Sequence, residues 1–305
     1  MLLVNGIPLV VIECKSPNLD NPITAAINDL LQYSNQRNSS QPEGAEKLFH
    51  YNLLMIAASR GRAVAGAVGA NHEYYVEWKT DLTPLTPLSL RVSPAETLRV
   101  SEAPPQEARQ SPTAGNPPTA LDSPQAREGE KIPLPASGEG LGVGFPANGE
   151  RSNTRQMLIA GMLNPTNLLD ILRNFTLYET SGGRTIKIVP RYQQYRAVQE
   201  AIDRLLHNQT RLQHGTDDQR GGIIWHTQGA GKSLTMVYLI RKIRTIPELR
   251  RFKIVVVTDR TDLEKQLSDT AVLTGEPLQI AKKVKKLEQY LQQPGAGLVF
   301  GMIQK

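Results

Sequence analysis

The sequence predicts an α/β protein whose ordered parts flank a long low-complexity segment. Three observations carry that expectation. Short apolar runs rich in β-branched residues (IPLVVIECK at 7–15, FKIVVVT at 252–258, LVFGM at 298–302) alternate with stretches whose apolar residues recur at helical spacing. The run at 252–258 is continuous rather than alternating, as in a strand buried on both faces of a parallel sheet. Between about 81 and 154 the chain carries 12 of its 21 prolines and shows no sustained apolar period, a texture that predicts disorder.

The elements follow in order. The Asn5-Gly6 turn signal opens a strand over Val4 to Lys15, and Thr24 to Tyr33 has the apolar spacing of a helix. Lys47 to Ala58 reads as a buried element, and Glu73 to Lys79 alternates like a strand. After the proline-rich stretch, 156–175 predicts two helices split at Asn164-Pro165, with Thr166 or Asn167 capping the second. Lys187 to Pro190 and Gly222 to Trp225 read as short strands, Tyr195 to His207 and Ser233 to Arg244 as helices. Phe252 to Thr258 is a strand, a helix starts at Leu263, Lys282 to Gln293 is a solvated amphipathic helix, and Leu298 to Met302 is a strand.

Composition narrows the classes. Over 305 residues, 35 Lys+Arg against 29 Asp+Glu give a net charge of +6, which suits a polyanionic partner but argues weakly for one. A single cysteine excludes a disulfide framework or a Cys-rich zinc module, and the five histidines lack metal spacing. No apolar run approaches the roughly 20 residues of a membrane span. The opening MLLVNGIPLVVIECKSP has no basic leader and is interrupted by Glu13 and Lys15, so a cytoplasmic protein without a membrane partner is expected.

The strongest motif is HTQGAGKS, from His226 to Ser233, placed between GIIW and the helical SLTMVYLIRKI. Such a loop can cradle the phosphates of ATP. Gly229 and Gly231 permit positive φ, so that the N–H groups from Thr227 through Gln228, Ala230 and Ser233 can turn inward on phosphate oxygens at a helix N-terminus. Lys232 supplies charge to the β- and γ-phosphates, and the Ser233 hydroxyl is a ligand for Mg²⁺. His226 stands where the strict pattern has Gly, a variant similar to that of superfamily 2 helicases and translocases. Two neighbours resemble segments of those enzymes. In RYQQYRAVQ, Gln194, with Gln193 as the alternative, is the candidate for reading adenine, unless it is simply an exposed helix-start residue. In DRTDLEKQ, Arg260 is either a nucleic-acid phosphate contact or a solvated helix-start arginine.

The second motif is Glu13-x-Lys15 at the end of an apolar strand. Period 2 puts both charges on one face, with Cys14 on the other as a small buried hydrophobe. The pair can be a strand-end salt bridge. In a nuclease, Glu13 is instead a Mg²⁺ ligand and Lys15 stabilises developing negative charge. Asp29 and Tyr33 share a face of the next helix, at the positions of a Gln-x-x-x-Tyr pair in helicase-linked PD-(D/E)-x-K nucleases; Asp29 reads as a surface residue.

Taken in order, NGIPLVVIECKSPN, FHYNLLMIA, VEWK, LRNFTLYE, RYQQYRAVQ and WHTQGAGKS make the chain resemble the restriction (R) subunit of type I restriction–modification enzymes over 1–79 and about 156–305. The resemblance implies a partial PD-(D/E)-x-K nuclease-like domain at 1–79, a disordered linker or insertion at 80–155, a helical connector at 156–190 and a partial RecA-like motor lobe at 191–305. It implies ATP and Mg²⁺ as cofactors, double-stranded DNA as substrate, and modification and specificity subunits as partners. The family's further nuclease Asp and its motor Asp-Glu box have no counterpart in this sequence. The expectation is therefore a chain truncated at both ends, part of an ATP-dependent endonuclease and translocase subunit, inactive alone. The alternatives are a catalytically dead nucleotide- and DNA-binding remnant, or an unrelated phosphate-loop ATPase with a disordered arm.

Overall fold

The computed structural model describes residues 1–37, 41, 43–79, 153–181 and 184–303. The low-complexity stretch, apart from 153–155, lies outside the described residues.

The Asn5-Gly6 signal produces a hairpin. Both residues have positive φ (50° and 79°), the left-handed pair that matches strand twist, and they join β1 (Leu2–Val4) to β2 (Ile7–Cys14). α1 (Pro22–Tyr33) then carries the chain back, so that β3 (Leu54–Ser59) pairs parallel to β2, and β4 (Arg62–Ala67) pairs antiparallel to β3. The sheet order is β1-β2-β3-β4. Every residue of β3 is buried, and alternation divides them. Met55 and Ala57 pack with Ala26, Ile27, Leu30 and Leu31 of α1. Leu54, Ile56 and Ala58 enter a larger cluster on the opposite face.

That larger cluster is built mainly by the second half of the chain. α2 (Thr154–Met157) runs into a π-helical turn (Leu158–Met162) and α3 (Pro165–Asn174). β5 (Leu177–Ser181) and β6 (Arg184–Ile188) form an antiparallel ribbon, and α4 (Tyr192–His207) leads to the short α5 (Arg211–His214). α6 (Lys232–Thr245), β7 (Lys253–Thr258), α7 (Thr261–Ala271), β8 (Leu278–Ala281), α8 (Val284–Gln292) and β9 (Gly297–Met302) complete a three-stranded parallel sheet of order β7-β9-β8. Leu54 and Ile56 of β3 share one hydrophobic cluster with Leu158, Tyr195, Val198 and Val237.

Five local expectations need correction. β7 is not buried on both faces: among the described strands it lies at the edge of its sheet, and Val255 and Val257 are exposed. Gly222–Trp225 forms no strand, and Ile223 is 93% and Trp225 87% exposed; β propensity alone makes no strand without a neighbour for its backbone groups. The segment after Asn71 is a 3₁₀ turn (His72–Tyr74) followed by a single bridge, Val76 to Ala65, because Tyr75 and Trp78 are drawn into different cores. Asn164, not Thr166 or Asn167, caps α3: its Oδ1 accepts from the Thr166 N–H at 3.1 Å, while buried Asn167 donates to Gly161 O. Cys14 does face away from Glu13, on the side of Val10 and Ile12, but it is exposed because the covering layer ends before the last residue of β2.

The aromatic interior has a pH consequence. Burial pushes the phenols of Tyr75, Tyr195 and Tyr238 above their usual range near pH 10. Such a phenol holds its proton more tightly folded than unfolded. Its contribution is complete below about pH 10 and is lost as pH rises through and beyond it. Half-buried Lys187, whose pKa is lowered by burial, acts in the opposite sense but is a single group. The denaturation midpoint should therefore be flat from about pH 7 to 9 and fall above about 10. The fall should shrink in Tyr238→Phe, which removes a buried hydroxyl without a partner among the described residues.

Candidate functional site

The phosphate loop is assembled at the start of α6. Gly231, at φ 78°, is its N-cap, and Gly229 has φ 76°. The loop turns through an Ala230 N–H to Thr227 O bond of 3.2 Å; Gln228 is exposed and Ser233 half-buried. Lys232 folds back over the loop and donates to the carbonyls of His226 (2.6 Å) and Thr227 (3.1 Å). The exposed ammonium thus rests on two neutral carbonyl acceptors of the loop, which bind it less strongly than anionic oxygens do.

Gln194 lies behind this loop and is 3% exposed. Its Nε2 donates to Ala230 O at 3.3 Å and Gly231 O at 3.0 Å, and its Oε1 accepts from the Arg191 N–H at 2.8 Å. Both ends of the amide are engaged, so in this conformation the residue braces the loop; Gln193 beside it is half-buried. A Cβ on Gly231 would come within 2.5 Å of the Gln194 Nε2, so this glycine is required both by its φ and by the brace. Sequence reasoning placed Gln194 near the nucleotide without seeing that its partner is the loop itself.

Beneath the brace, Tyr195 is in the aromatic chain Trp78–Tyr195–Phe175–Tyr238, with centroid spacings of 5.7, 4.8 and 5.3 Å. Asp170 of α3 accepts from Lys242 Nζ of α6 (2.5 Å), Gln199 Nε2 of α4 (2.6 Å) and Asn174 Nδ2 (2.6 Å). One carboxylate thereby ties α3 and α4 to the phosphate-loop helix α6.

Arg260 is the N-cap residue of α7 and 68% exposed, paired with Asp262 at 2.6 Å. Among the described residues its guanidinium has this exposed near neighbour as its ion-pair partner, with Asp259 beside it.

The second site lies at the carboxyl end of parallel strand β2. Glu13, Lys15 and Val11 share the face toward α1. Lys15 Nζ is 3.0 Å from Glu13 Oε1 and donates to Asp29 Oδ2 of α1. The two carboxylates, Asp29 first, hold the lysine pKa well above its usual value. The strand-end salt bridge is therefore present, and it has a third member. Asp29, expected at the surface, is inside the site; the available signal was its place on the α1 face four residues before Tyr33. Among the described residues there is no group of three or more His, Cys, Asp or Glu side chains able to hold a metal.

Two family models match the chain. Residues 1–73 match the N terminus of the type I restriction enzyme R protein, and residues 193–305 match the SWI2/SNF2 ATPase. The HindI type I restriction enzyme endonuclease subunit of Haemophilus influenzae is 30% identical over 99% of this chain and 23% of its own length. The chain is a relative of the type I restriction enzyme R subunits. A Methanocaldococcus jannaschii protein named for the type I restriction enzyme MjaIXP is 22% identical over 100% of the chain and 24% of its own length. Another from that organism, named for MjaVIIIP, is 31% identical over 36% of the chain and 11% of its own length. The chain thus spans about a quarter of the length of the relatives it matches end to end. The R-protein match contains Glu13, Lys15 and Asp29, and the ATPase match contains Gln194, the phosphate loop and Arg260. Among the described residues no helix is long and apolar enough to cross a membrane.

Proposed function

We propose that this chain forms the nuclease module and first ATP-binding lobe of a type I restriction endonuclease subunit, which moves duplex DNA with ATP and cuts it with Mg²⁺. The observation that carries the reading is a loop with Gly229 and Gly231 at positive φ and Lys232 folded over it at the N-terminus of α6, in one chain with a Glu–Lys–Asp site at a strand's carboxyl end. The domain assignment is a PD-(D/E)-x-K nuclease-like module at 1–79, a linker or insertion at 80–155, a connector at 156–190 and a RecA-like lobe at 191–305. The partners are double-stranded DNA and the modification and specificity subunits, in the cytoplasm.

In this reading the N–H groups of the 227–233 loop would serve the ATP phosphates, the Ala230 N–H leaving Thr227 O, and Lys232 would exchange the His226 and Thr227 carbonyls for the β- and γ-oxygens. Gln194 keeps the loop in register, with adenine contact as its further role, and Arg260 leaves Asp262 for a DNA phosphate. Glu13 and the Ser233 hydroxyl are hard oxygen donors and fit Mg²⁺ chemically, one at each site. A bound Mg²⁺ supplies Lewis acidity toward a phosphoryl oxygen. Lys15 orients toward the scissile phosphate and stabilises the charge that develops there.

Glu13→Ala should abolish Mg²⁺-dependent DNA cleavage by the subunit assembled with its partners, while ATP hydrolysis persists. Cleavage on supercoiled DNA is the measurement, and unchanged cutting rejects the nuclease assignment.

A further inference from the structure

We infer that Lys282, Lys283, Lys285 and Lys286 form a contact for the phosphate backbone of duplex DNA, on the same edge of the sheet as Arg260. This rests on the duplex-DNA reading of the ATP-binding lobe and extends it to a surface that no motif marks.

Topology places the lysines and Arg260 together. β7, β9 and β8 run parallel and end level: Thr258 pairs with Met302, and Ala281 with Gly301. The chain therefore leaves β7 at Asp259-Arg260 and leaves β8 at Lys282-Lys283 on one carboxyl edge. β8 is two strands from β7, a separation of about 10 Å, the axial length of about three nucleotides of one DNA strand. α8 lays Leu287 against Gly301 of β9 and leaves all four lysines exposed. Among the described residues none of the four has a carboxylate as an ion-pair partner; Lys286 has the neutral Gln289 amide at 3.0 Å and the Tyr290 ring at 4.9 Å. Arg260 is accompanied by Asp262 and Asp259, so the lysines carry the uncompensated charge of this edge. The first turn of α8 holds no acidic residue, and the positive end of its dipole meets like charge. Clustered cations at that end repel both the helix terminus and one another, so the isolated chain gains no stability from them. A polyanion relieves both repulsions at once. Lysine suits a backbone contact, because its ammonium is a point charge on a flexible stem and needs no base edge to read.

The test is binding of a short fluorescent DNA duplex to the 305-residue chain across a range of salt concentrations, with circular dichroism confirming that each variant is folded. Lys282→Gln, Lys283→Gln, Lys285→Gln and Lys286→Gln together should weaken binding at least about 30-fold at about 50 mM salt, and should make the slope of log affinity against log salt shallower by about 3. Lys→Arg at the same four positions should keep both. Two matched pairs decide the location. Lys285→Gln with Lys286→Gln should cost at least about fivefold. Arg250→Gln with Arg251→Gln removes the same charge from exposed positions before β7, on the amino edge, and should cost less than about twofold. Equal losses from the two pairs would mean that only net charge matters and would overturn the inference. So would a fourfold variant that binds as the unaltered chain does; if Arg260→Gln weakens binding all the same, the duplex-DNA reading stands and only this inference falls. Failure of the unaltered chain to bind duplex at low salt rejects that reading and the inference with it. Lysine-dependent binding to phosphatidylglycerol vesicles, with duplex binding unchanged, would make a membrane surface the partner and overturn the inference as well.

Discussion

Lys232→Ala should lower ATP affinity by at least about 100-fold, corresponding to the loss of about 3 kcal/mol from charge-assisted bonds to two phosphates. The loop would keep its glycine geometry and the Gln194 brace, because neither depends on the lysine side chain. What disappears is the ammonium that sits on the His226 and Thr227 carbonyls, at the mouth of the loop. Titration with a fluorescent ATP analogue measures the effect, and a denaturation curve separates it from unfolding. The side chain is exposed, so stability should change by no more than about 0.5 kcal/mol. Retained affinity would reject the phosphate-loop assignment.

Asp170→Ala should cost about 3–5 kcal/mol of stability, the usual result of stripping the partner from a buried charge. Asp170 and Lys242 are 12% and 14% exposed, and the carboxylate also serves Gln199 and Asn174. Removal leaves a lysine and two amide groups with unmet donors between three helices. Urea denaturation gives the loss directly. The double change Asp170→Leu with Lys242→Met should recover most of it, because neither charge then remains to be desolvated. A single-variant loss below about 1 kcal/mol would mean that water reaches the pair and that it behaves as a surface bridge.

The elements most legible in the sequence were those whose periodicity coincides with burial. β9, α1, α4 and α6 have apolar patterns set by burial, and each forms within a few residues of its expected span; β7 also forms where expected, but with Val255 and Val257 exposed. GIIW was misread because a strand is a property of a pair: its β-branched residues met no ladder among the described residues. β5 and β8 were missed for a related reason: LYETS is largely polar and LQIA is only four residues long, and pairing rather than composition makes them strands. Of the site, the phosphate loop could be read because its chemistry is consecutive in the chain. Asp29 stood out by its place four residues before Tyr33, but its partner could not be read, because that is a lysine fourteen residues away on another element. The Asp170 hub was invisible for the same reason, with partners 29 and 72 residues distant.

The hydrophobic cluster shared by β3 and the helices after residue 153 also bears on how such a chain can evolve. A boundary drawn in the sequence invites recombination, yet this seam is a fitted surface. Leu54 and Ile56 on one side share one cluster with Leu158, Met162 and Tyr195 on the other, and the Trp78 ring lies 5.7 Å from that of Tyr195. Interiors tolerate little mismatch in volume. A first half transplanted from a distant relative would therefore arrive with the wrong relief for its new neighbour. Swaps that carry the matching residues of the connector and α4 along with the sheet should yield folded chimeras, and swaps cut at residue 79 should not.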